Sequence, residues 1–354
     1  MKAGHTETPI PWLMAGRVPS LDGLRGLAIL LVLIGHSVAY QSESPNHAWT
    51  RLGEWGVDLF FAISGFIITL LLLRELHRSG TIELSNFYRR RALRILPPYL
   101  AFLLFVFLSE WLVKPQLESY ERVGLLTFTL NLVPCKTLYT IHIWSLSLEE
   151  QFYLFWPALL WWLGPRRGLY AALAVMLMVP LVRYLYFHYV SPSMIYSSTP
   201  TRLDSIMSGC IVAILATGMA GPRLKPIGKF GNHCLLLVGA CFLLFRGLCE
   251  ESSNSYLFYH SGSAIFMAAI VWIAITTEGG WVIWLFQQPW MVMLGVLSYS
   301  LYLWQQPFLL YQSEAWWTHF PCNFAMIFAI ALVSYYCLER PLLRWRDRLR
   351  SQVE

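Results

Sequence analysis

The feature that most constrains this chain is a series of long apolar stretches separated by short polar segments. A bilayer core about 30 Å thick needs roughly 20 mostly apolar helical residues to cross it. The sequence therefore predicts an all-α fold, a polytopic membrane helical bundle of about ten transmembrane helices. The predicted spans are residues 24–41, 56–73, 95–113, 143–163, 168–190, 203–219, 232–248, 257–277, 290–311 and 322–338.

Composition agrees with the membrane class. Of the 354 residues, 56% are hydrophobic, 16% are aromatic and only 13% are charged, whereas soluble domains average about 25% charged residues. The net charge of +6 lies in short basic clusters between apolar stretches, which indicates membrane topology and no nucleic-acid partner. The seven cysteines show no metal-ligand spacing, so we assign no metal. No permanently bound cofactor is expected either.

Basic loops predict which way the helices face, because short loops rich in Lys and Arg stay on the cytoplasmic side. With ten spans and both termini cytoplasmic, that side receives "RELHRSGTIELSNFYRRRALR", "PRR", "PRLKPIGK" and "ERPLLRWRDRLR". The loops on the opposite side nearly lack Lys and Arg. An eleventh apolar stretch, residues 123–133, is too short to span and is interpreted as a surface or re-entrant piece.

A single membrane domain accounts for most of the sequence. Residues 1–20 form a predicted cytoplasmic N-terminal segment without the features of a signal peptide. Residues 21–341 form the membrane domain, and residues 342–354 form a basic cytoplasmic tail. We find no internal repeat and no low-complexity tract.

The stretch "LDGLRGLAILLVLIGH" (residues 21–36) places an arginine and a histidine on one apolar helix. Eleven helical steps turn 1100°, about 20° beyond three full turns, so Arg25 and His36 share one face, roughly 16 Å apart along the axis. Arg25 can meet a phosphate near the cytoplasmic interface, and His36 can take a proton deeper in the membrane. The alternative is that Arg25 only snorkels or pairs with Asp22, and that His36 is a satisfied interhelical hydrogen-bonder.

A basic cluster, "RRRALR", precedes "ILPPYL". Arg91 and Arg94 are one turn apart, so two guanidinium groups can share a face and hold a polyanionic group such as nucleotide phosphates. Basic clusters beside a span also commonly set topology and bind lipid headgroups. Taken alone, the cluster favours that second role.

Two adjacent acids stand in an aromatic span, "IHIWSLSLEEQFYLFWP" (residues 141–157). Glu149 and Glu150 are about 100° apart around the helix, so both cannot point into one site. Ser145, Ser147 and Trp144 lie about one turn earlier and can line the same polar cavity. Because a charged side chain inside the membrane is energetically unfavourable, the pair indicates a functional role rather than a packing role.

Further polar residues and glycines stand at predicted helix contacts. Asp58 and the pair Arg202 and Asp204 are charges at span starts. Gly65 and Gly209 are predicted to permit close helix contact.

The segment "LGVLSYSLYLWQQP" (residues 294–307) combines two tyrosines with a proline. Tyr299 and Tyr302 are one turn apart, and core packing is their expected role. Pro307 is expected to bend or end the helix, because it lacks the N–H of a helical residue.

Six segments, taken in order, resemble the acyltransferase 3 family of integral membrane acyltransferases. They are "LDGLRGLAILLVLIGH", "GVDLFFAISGFIIT", "RRALRILPPY", "WSLSLEEQFYLFWP", "RLDSIMSG" and "SYSLYLWQQP", and the resemblance runs from about residue 20 to 341. The family's Arg-x10-His signature falls on Arg25 and His36, its Arg-x-x-Arg on Arg91 and Arg94, and its span acid on Glu149.

Two departures from the family pattern stand out. The family usually has a histidine where this chain carries Gln305, so a titrating contact at that position is not expected here. Many members also carry a C-terminal soluble esterase-like domain, which this sequence does not contain.

The resemblance implies a bacterial multi-pass protein of the cytoplasmic (inner) membrane. It would move an acyl group, most often acetyl, from cytoplasmic acetyl-CoA or another acyl-CoA to a hydroxyl of a cell-surface or lipid-linked carbohydrate. The implied catalytic residues are His36, as general base or transient acyl carrier, and Glu149, which orients or stabilises it. The implied acyl-CoA-binding residues are Arg25, Arg91 and Arg94, with supporting roles for Asp58, Ser147 and Tyr299.

The main rival interpretation is a multi-span transporter or flippase whose intramembrane charges form a proton or substrate path. Such a protein often shows two similar halves, and the sequence shows none. A non-catalytic scaffold is the weakest alternative, because it does not explain why Arg25, His36 and the acidic residues lie within apolar segments.

Overall fold

A computed structural model describes residues 18–41, 47–113, 117–133, 136–250, 255–309 and 315–344. Within these ranges the chain is helical and contains no β-strand, which confirms the predicted all-α class. The helices, numbered in chain order, are α1 (Pro19–Gln41), α2 (His47–Ser79), α3 (Leu84–Val113), α4 (Ser119–Thr127), α5 (Ile143–Leu185), α6 (Thr199–Thr217), α7 (Gly231–Glu250), α8 (Ser255–Thr276), α9 (Trp281–Phe286), α10 (Pro289–Trp304), α11 (Gln306–Leu309) and α12 (Cys322–Ser334).

Seven of the described helical runs are long and apolar enough to cross a membrane, which confirms a polytopic membrane protein. One of them, Ile143–Val190, has 48 residues, roughly twice the length that a bilayer needs. Gly164 divides it, with φ 71°, and Pro165 follows. A glycine with positive φ commonly ends one helix, and a proline suits the first turn of the next. The number of crossings and the side of each terminus stay predictions.

The described helices belong to two compact units. Unit 1 consists of Met1–Ala28, Trp55–Ile82 and Glu149–Gly295, and unit 2 of Ile29–Glu54, Glu83–Leu148 and Val296–Glu354. Residues 1–17 and 345–354 lie outside the described residues, and with them most of the predicted N-terminal segment and tail. The predicted domain boundaries stay predictions.

Unit 1 contains a buried apolar cluster to which α1, α2, α6 and α8 contribute. A Cβ atom at Gly65 would overlap the carbonyl oxygen of Ile206, and one at Gly209 would overlap that of Ala62. Helices α2 and α6 therefore cross in backbone contact, which only residues without a Cβ allow. The predicted role of both glycines is confirmed.

Unit 2 has its own buried cluster, built by α3, α4, the start of α5 and α10. Helix α4 has nine residues, about 14 Å of length, so residues 123–133 do not form a span, as predicted. Leu125 and Leu130 are fully buried in the cluster, and the Tyr99 hydroxyl donates to the Leu125 carbonyl at 2.7 Å. This short segment is thus packed against α3.

Candidate active site

Helix α10 ends at Trp304, and the chain bends at Gln305 before α11 begins. Pro307 explains the break, because proline has no N–H and its ring clashes with the carbonyl four residues earlier. That carbonyl belongs to Leu303, which therefore lacks its helical donor. The bend predicted at Pro307 is confirmed, and it leaves a backbone acceptor for another group.

His142 binds this carbonyl. Its Nε2 lies 3.1 Å from the Leu303 oxygen, and the residue is only 1% exposed. A carbonyl oxygen can only accept, so Nε2 carries the proton and the neutral ring has its lone pair on Nδ1. That Nδ1 is buried and has no hydrogen-bond partner in the described part of the chain. His142 thus presents an unused acceptor.

The backbone before and at His142 is also held in place. The Tyr302 hydroxyl donates to the His142 carbonyl at 2.9 Å. Glu121 on α4 is 1% exposed and accepts from the Thr137 N–H at 2.9 Å and the Thr137 hydroxyl at 2.8 Å. The same carboxylate accepts from the Thr140 hydroxyl. This loop therefore reaches α5 in a defined conformation.

His36 meets the residue at the bend. Its Nδ1 lies 3.3 Å from Oε1 of Gln305, and Nε2 of Gln305 donates to the Tyr302 carbonyl at 3.2 Å. The second bond orients the amide, so Oε1 faces the imidazole and Nδ1 of His36 must donate. The lone pair of the neutral His36 ring is then on Nε2, the nitrogen that can act as a base.

Two glycines bring α1 and α2 together beside His36. A Cβ atom at Gly35 would overlap the backbone nitrogen of Gly53. A Cβ atom at Gly53 would lie 3.3 Å from Cδ2 and 3.6 Å from Nε2 of His36. The backbone of α2 therefore lies next to the basic nitrogen, and any side chain at this position would narrow that space.

The helix break thus organises two imidazoles within unit 2. Gln305 binds His36, and Leu303 binds His142. Each ring has one nitrogen committed to a fixed acceptor and the lone pair on the other.

Glu149, the predicted span acid, belongs to unit 1. It is half-buried and accepts a hydrogen bond of 2.7 Å from the Ser64 hydroxyl of α2. Its neighbour Glu150 is also half-buried. The action of Glu149 on His36 stays a prediction.

The predicted acyl-CoA-binding arginines are all half-buried. Arg91 and Arg94 lie one turn apart on α3 in unit 2, whereas Arg25 lies on the part of α1 that belongs to unit 1. Helix α1 runs from Pro19 to Gln41, which places Arg25 and His36 on one helix, as predicted. Contact of the arginines with CoA stays a prediction.

Two of the three supporting residues make structural hydrogen bonds. The Ser147 hydroxyl donates to the carbonyl of Ile143 in its own helix at 3.0 Å. The Tyr299 hydroxyl donates to the Ile95 carbonyl at 3.0 Å and so links α10 to α3. These bonds fit the packing role expected for Tyr299, and a part for either residue in catalysis stays a prediction.

The third supporting residue, Asp58, belongs to a network of buried charges in unit 1. It forms an ion pair with Arg202, and both side chains are fully buried. The Ser263 hydroxyl donates to the other oxygen of Asp58 at 2.7 Å. Arg202 also donates to Nδ1 of His260, so α2, α6 and α8 are joined.

A second ion pair extends this network. Arg183 of α5 donates to Asp204 at 2.6 Å, with both side chains fully buried. Arg183 also donates to the Thr201 carbonyl at 2.8 Å and the Leu257 carbonyl at 2.9 Å, and Ser261 donates to Asp204 at 2.6 Å. Asp204 is therefore paired with a residue of another helix, just as Arg202 is.

Sequence reasoning did not single out His142, Arg183 or His260. Arg183 and His260 are ionisable residues inside predicted spans, and that signal alone makes them candidates. The role of His142 was harder to predict from the sequence, because Pro307, which leaves the Leu303 carbonyl free to accept from His142, is remote in the sequence.

Comparison with known proteins identifies the family of the chain. An acyltransferase domain model, that of the acyltransferase 3 family, matches residues 18–340. The peptidoglycan O-acetyltransferase OatA of Listeria monocytogenes is 27% identical over 361 residues, covering 92% of this chain and 56% of that protein. The O-acetyltransferase OatA of Staphylococcus aureus is 28% identical over 326 residues, covering 83% of this chain and 51% of that protein.

A putative O-acetyltransferase of Staphylococcus aureus is 29% identical over 320 residues, covering 81% of this chain and 50% of that protein. The chain thus spans about half the length of the curated relatives it matches. No solved structure matches it. Because the domain match covers nearly the whole sequence, the chain belongs to the acyltransferase 3 family.

Proposed function

We propose that this protein moves an acyl group, acetyl in the simplest case, from cytoplasmic acyl-CoA to a hydroxyl of a cell-surface or lipid-linked carbohydrate. The family is one of membrane acyltransferases, and the relatives are O-acetyltransferases by name, one of them on peptidoglycan. Peptidoglycan is therefore one candidate acceptor. The acyl-CoA donor, its cytoplasmic side and the acceptor are all part of the proposal.

The observation that carries the proposal is the state of His36. Gln305 accepts from Nδ1, so the lone pair on Nε2 is set to take a proton. The acceptor oxygen attacks the thioester carbonyl while Nε2 takes the hydroxyl proton. The C–O ester bond forms, the C–S bond breaks, and the sulfur leaves as CoA thiolate, which recovers the proton from the imidazolium.

His36 also supports a route through an acyl-enzyme. In that route Nε2 attacks the thioester, the N–C bond forms, and the C–S electron pair leaves with the CoA sulfur. Glu149 would stabilise the cationic ring in either route. Mass spectrometry of the protein after acetyl-CoA alone separates the two, because only the second route gives a protein heavier by one acetyl group.

Three arginines suit the phosphates of the donor, because guanidinium groups bind phosphate through two parallel hydrogen bonds. Arg91 and Arg94 lie one turn apart on α3, and Arg25 precedes His36 by eleven residues on α1. That spacing is about 16 Å along a helix axis. The pantetheine arm of CoA is long enough to carry a thioester over such a distance.

The charge network of unit 1 does not support the rival function, which is transport along a path of intramembrane charges. Its two carboxylates are each paired with an arginine and receive an additional hydroxyl donor. Because each buried charge has a partner of opposite sign, no permeating ion is needed to explain why these residues are buried.

The test uses the full chain in membrane vesicles supplied with acetyl-CoA labelled in the acetyl group. We expect label on glycan with the native chain and a loss of about 10²- to 10⁴-fold with His36→Ala, the range that a positioned base contributes. His188→Ala is the matched control, because His188 is exposed and its ring packs against the neighbouring rings of Tyr184, Phe187 and Tyr189.

Both variants are compared at equal amounts in the membrane. Near-native labelling by His36→Ala contradicts the proposed base. Uptake of a labelled solute without covalent transfer by the native chain favours the transporter instead.

A further inference from the structure

Buried polar atoms without a hydrogen-bond partner are concentrated at the helix break of unit 2. They are Nδ1 of His142, Nε1 of Trp304 and both amide atoms of Gln306, and these residues are 1%, 8% and 0% exposed. Trp304 and Gln306 flank Gln305, the residue that binds His36. Buried atoms without a described partner also occur in unit 1, on Trp55, Ser198, Ser205 and Asn232, but these residues do not flank a break in a helix.

Ring contacts place two of these residues, His142 and Trp304, against one phenylalanine. Phe102 packs edge-on against His142 at 5.7 Å and against Trp304 at 5.6 Å between ring centroids. The bond from Nε2 of His142 to the Leu303 carbonyl fixes the direction of that ring. The unpartnered nitrogens therefore belong to one aromatic cluster.

A third element adds a donor. Asn323 stands in the first turn of α12, which contacts α11, and it is fully buried. Its Oδ1 accepts from the Phe324 N–H at 2.8 Å, which orients the amide. Its Nδ2 has no hydrogen-bond partner among the described residues.

These groups together match the chemistry of alcohols. Nδ1 of His142 accepts, the indole of Trp304 and Nδ2 of Asn323 donate, and the Gln306 amide does both. A hydroxyl group likewise donates and accepts. Because buried polar groups in proteins normally have partners, a ligand bearing several hydroxyls can satisfy this set, and aromatic rings suit the apolar faces of a sugar.

We propose that His142, Trp304, Gln306 and Asn323 form the subsite that binds the carbohydrate acceptor beside His36. This inference rests on the proposed function, since it names where the acceptor of that reaction lies. The amide-rich pantetheine arm of the donor has related hydrogen-bonding chemistry, so the experiment separates the acceptor from the donor.

The test is Gln306→Met, which keeps the side-chain volume and removes both polar atoms. Because those atoms have no partner in the described protein, we expect the thermal midpoint in detergent to stay the same or rise. We expect the KM for chitopentaose, a soluble β-1,4-linked N-acetylglucosamine oligosaccharide, to rise at least tenfold, with the KM for acetyl-CoA unchanged.

The matched control is Ser334→Ala. The Ser334 hydroxyl is also buried without a partner, on the same helix as Asn323 but eleven residues further, about 16 Å along the axis. We expect neither KM to change in this variant.

A binding measurement keeps this inference separate from the proposed function. Chitopentaose, or the α-1,6-linked glucose oligosaccharide isomaltopentaose, should raise the thermal midpoint of unfolding of the native chain when added at millimolar concentration. The Gln306→Met substitution should abolish that rise. This result supports the subsite even if no acetyl transfer is observed, in which case the proposed function fails alone.

Three outcomes overturn the inference. The first is a native chain that neither glycan stabilises. The second is a Gln306→Met variant with a lower midpoint and both KM values unchanged, which indicates a structural role. The third is a rise in the KM for acetyl-CoA alone, which assigns these groups to the donor.

Discussion

The charge network of unit 1 and the helix break of unit 2 differ in how their buried polar groups find partners. In unit 1, Arg183, Arg202, Asp58 and Asp204 are fully buried and are joined in two ion pairs, with hydroxyl donors on both carboxylates. In unit 2, the polar atoms around the break at Gln305 include several that no described residue satisfies. Unit 1 therefore pairs its buried charges with one another, whereas the helix break of unit 2 brings together polar atoms without a described partner.

The difference has a physical basis. In a low-dielectric interior a charge is tolerated when a partner and additional hydrogen bonds surround it, and removal of one partner is then strongly destabilising. An unpartnered polar atom is itself unfavourable, so a group of them beside two imidazoles indicates a role in binding or chemistry. Variants in unit 1 should therefore change stability, and variants in unit 2 should change activity.

The largest effect is expected in unit 1. Arg183→Met leaves Asp204 buried without its arginine, and we expect the free energy of unfolding to fall by about 3–5 kcal/mol, measured by titration with a denaturing detergent. The charge-balanced variant Arg183→Met with Asp204→Leu should recover most of this loss. Equal instability of the single and double variants would contradict a role for charge balance, and the proposed difference between the two units would then fail.

The next largest effect concerns Gln305 in unit 2. Gln305→Leu removes the acceptor that orients His36, and we expect kcat to fall about 10- to 100-fold, as for other groups that orient a functional imidazole. The KM values should stay nearly constant, and the free energy of unfolding should fall by only about 1–3 kcal/mol, because the hydrogen bonds to His36 and the Tyr302 carbonyl are lost. Gln305→His, the residue usual in the family, should restore much of the activity because its ring can also accept. Failure of the histidine variant together with lost stability would indicate packing instead.

The donor arginines should show a smaller effect. Arg91→Gln and Arg94→Gln should each raise the KM for acetyl-CoA about tenfold, the result of losing roughly 1.4 kcal/mol of binding. Arg90→Gln is the control, since Arg90 is exposed on the same turn of α3. If all three variants weaken acetyl-CoA binding equally, the cluster acts through its general charge, and a CoA site on one face of α3 is excluded.

The smallest effect is expected at Gly53. In Gly53→Ala the new methyl would lie 3.3 Å from Cδ2 of His36, so the imidazole must shift by a few tenths of an ångström, and we expect kcat to fall about threefold. Gly239→Ala on α7 meets open space and should leave kcat unchanged. An active Gly53→Ala variant with native kcat would show that the space beside Nε2 is not used.

Much of the fold could be predicted because it follows from local chemistry. The apolar stretches predicted helices of membrane length, and the described helices have the class expected. The break before Pro307 follows from a missing N–H, and the contact of α2 with α6 follows from two absent Cβ atoms at Gly65 and Gly209. The short length of residues 123–133 excluded a span in the same way.

The candidate site was predictable only in part. A spacing of eleven residues places Arg25 and His36 on one helix because helical geometry repeats along the chain. It could not identify Gln305 as the partner of His36, and it gave no reason to choose His142. The grouping of Arg202 with Asp204 in sequence likewise did not predict that each has an ion-pair partner on a different helix.

The sequence by itself determined the membrane class, the helix break and the helix that carries His36, because each depends on residues within a few turns of one another. Tertiary structure alone decided the hydrogen-bond partners. His36 and Gln305 are 269 positions apart, His142 and Leu303 are 161 apart, and Asp58 and Arg202 are 144 apart. Hydrophobic periodicity carries no information about such pairs, since the tautomer of an imidazole and the balance of a buried charge depend on atoms that only folding brings within hydrogen-bonding distance.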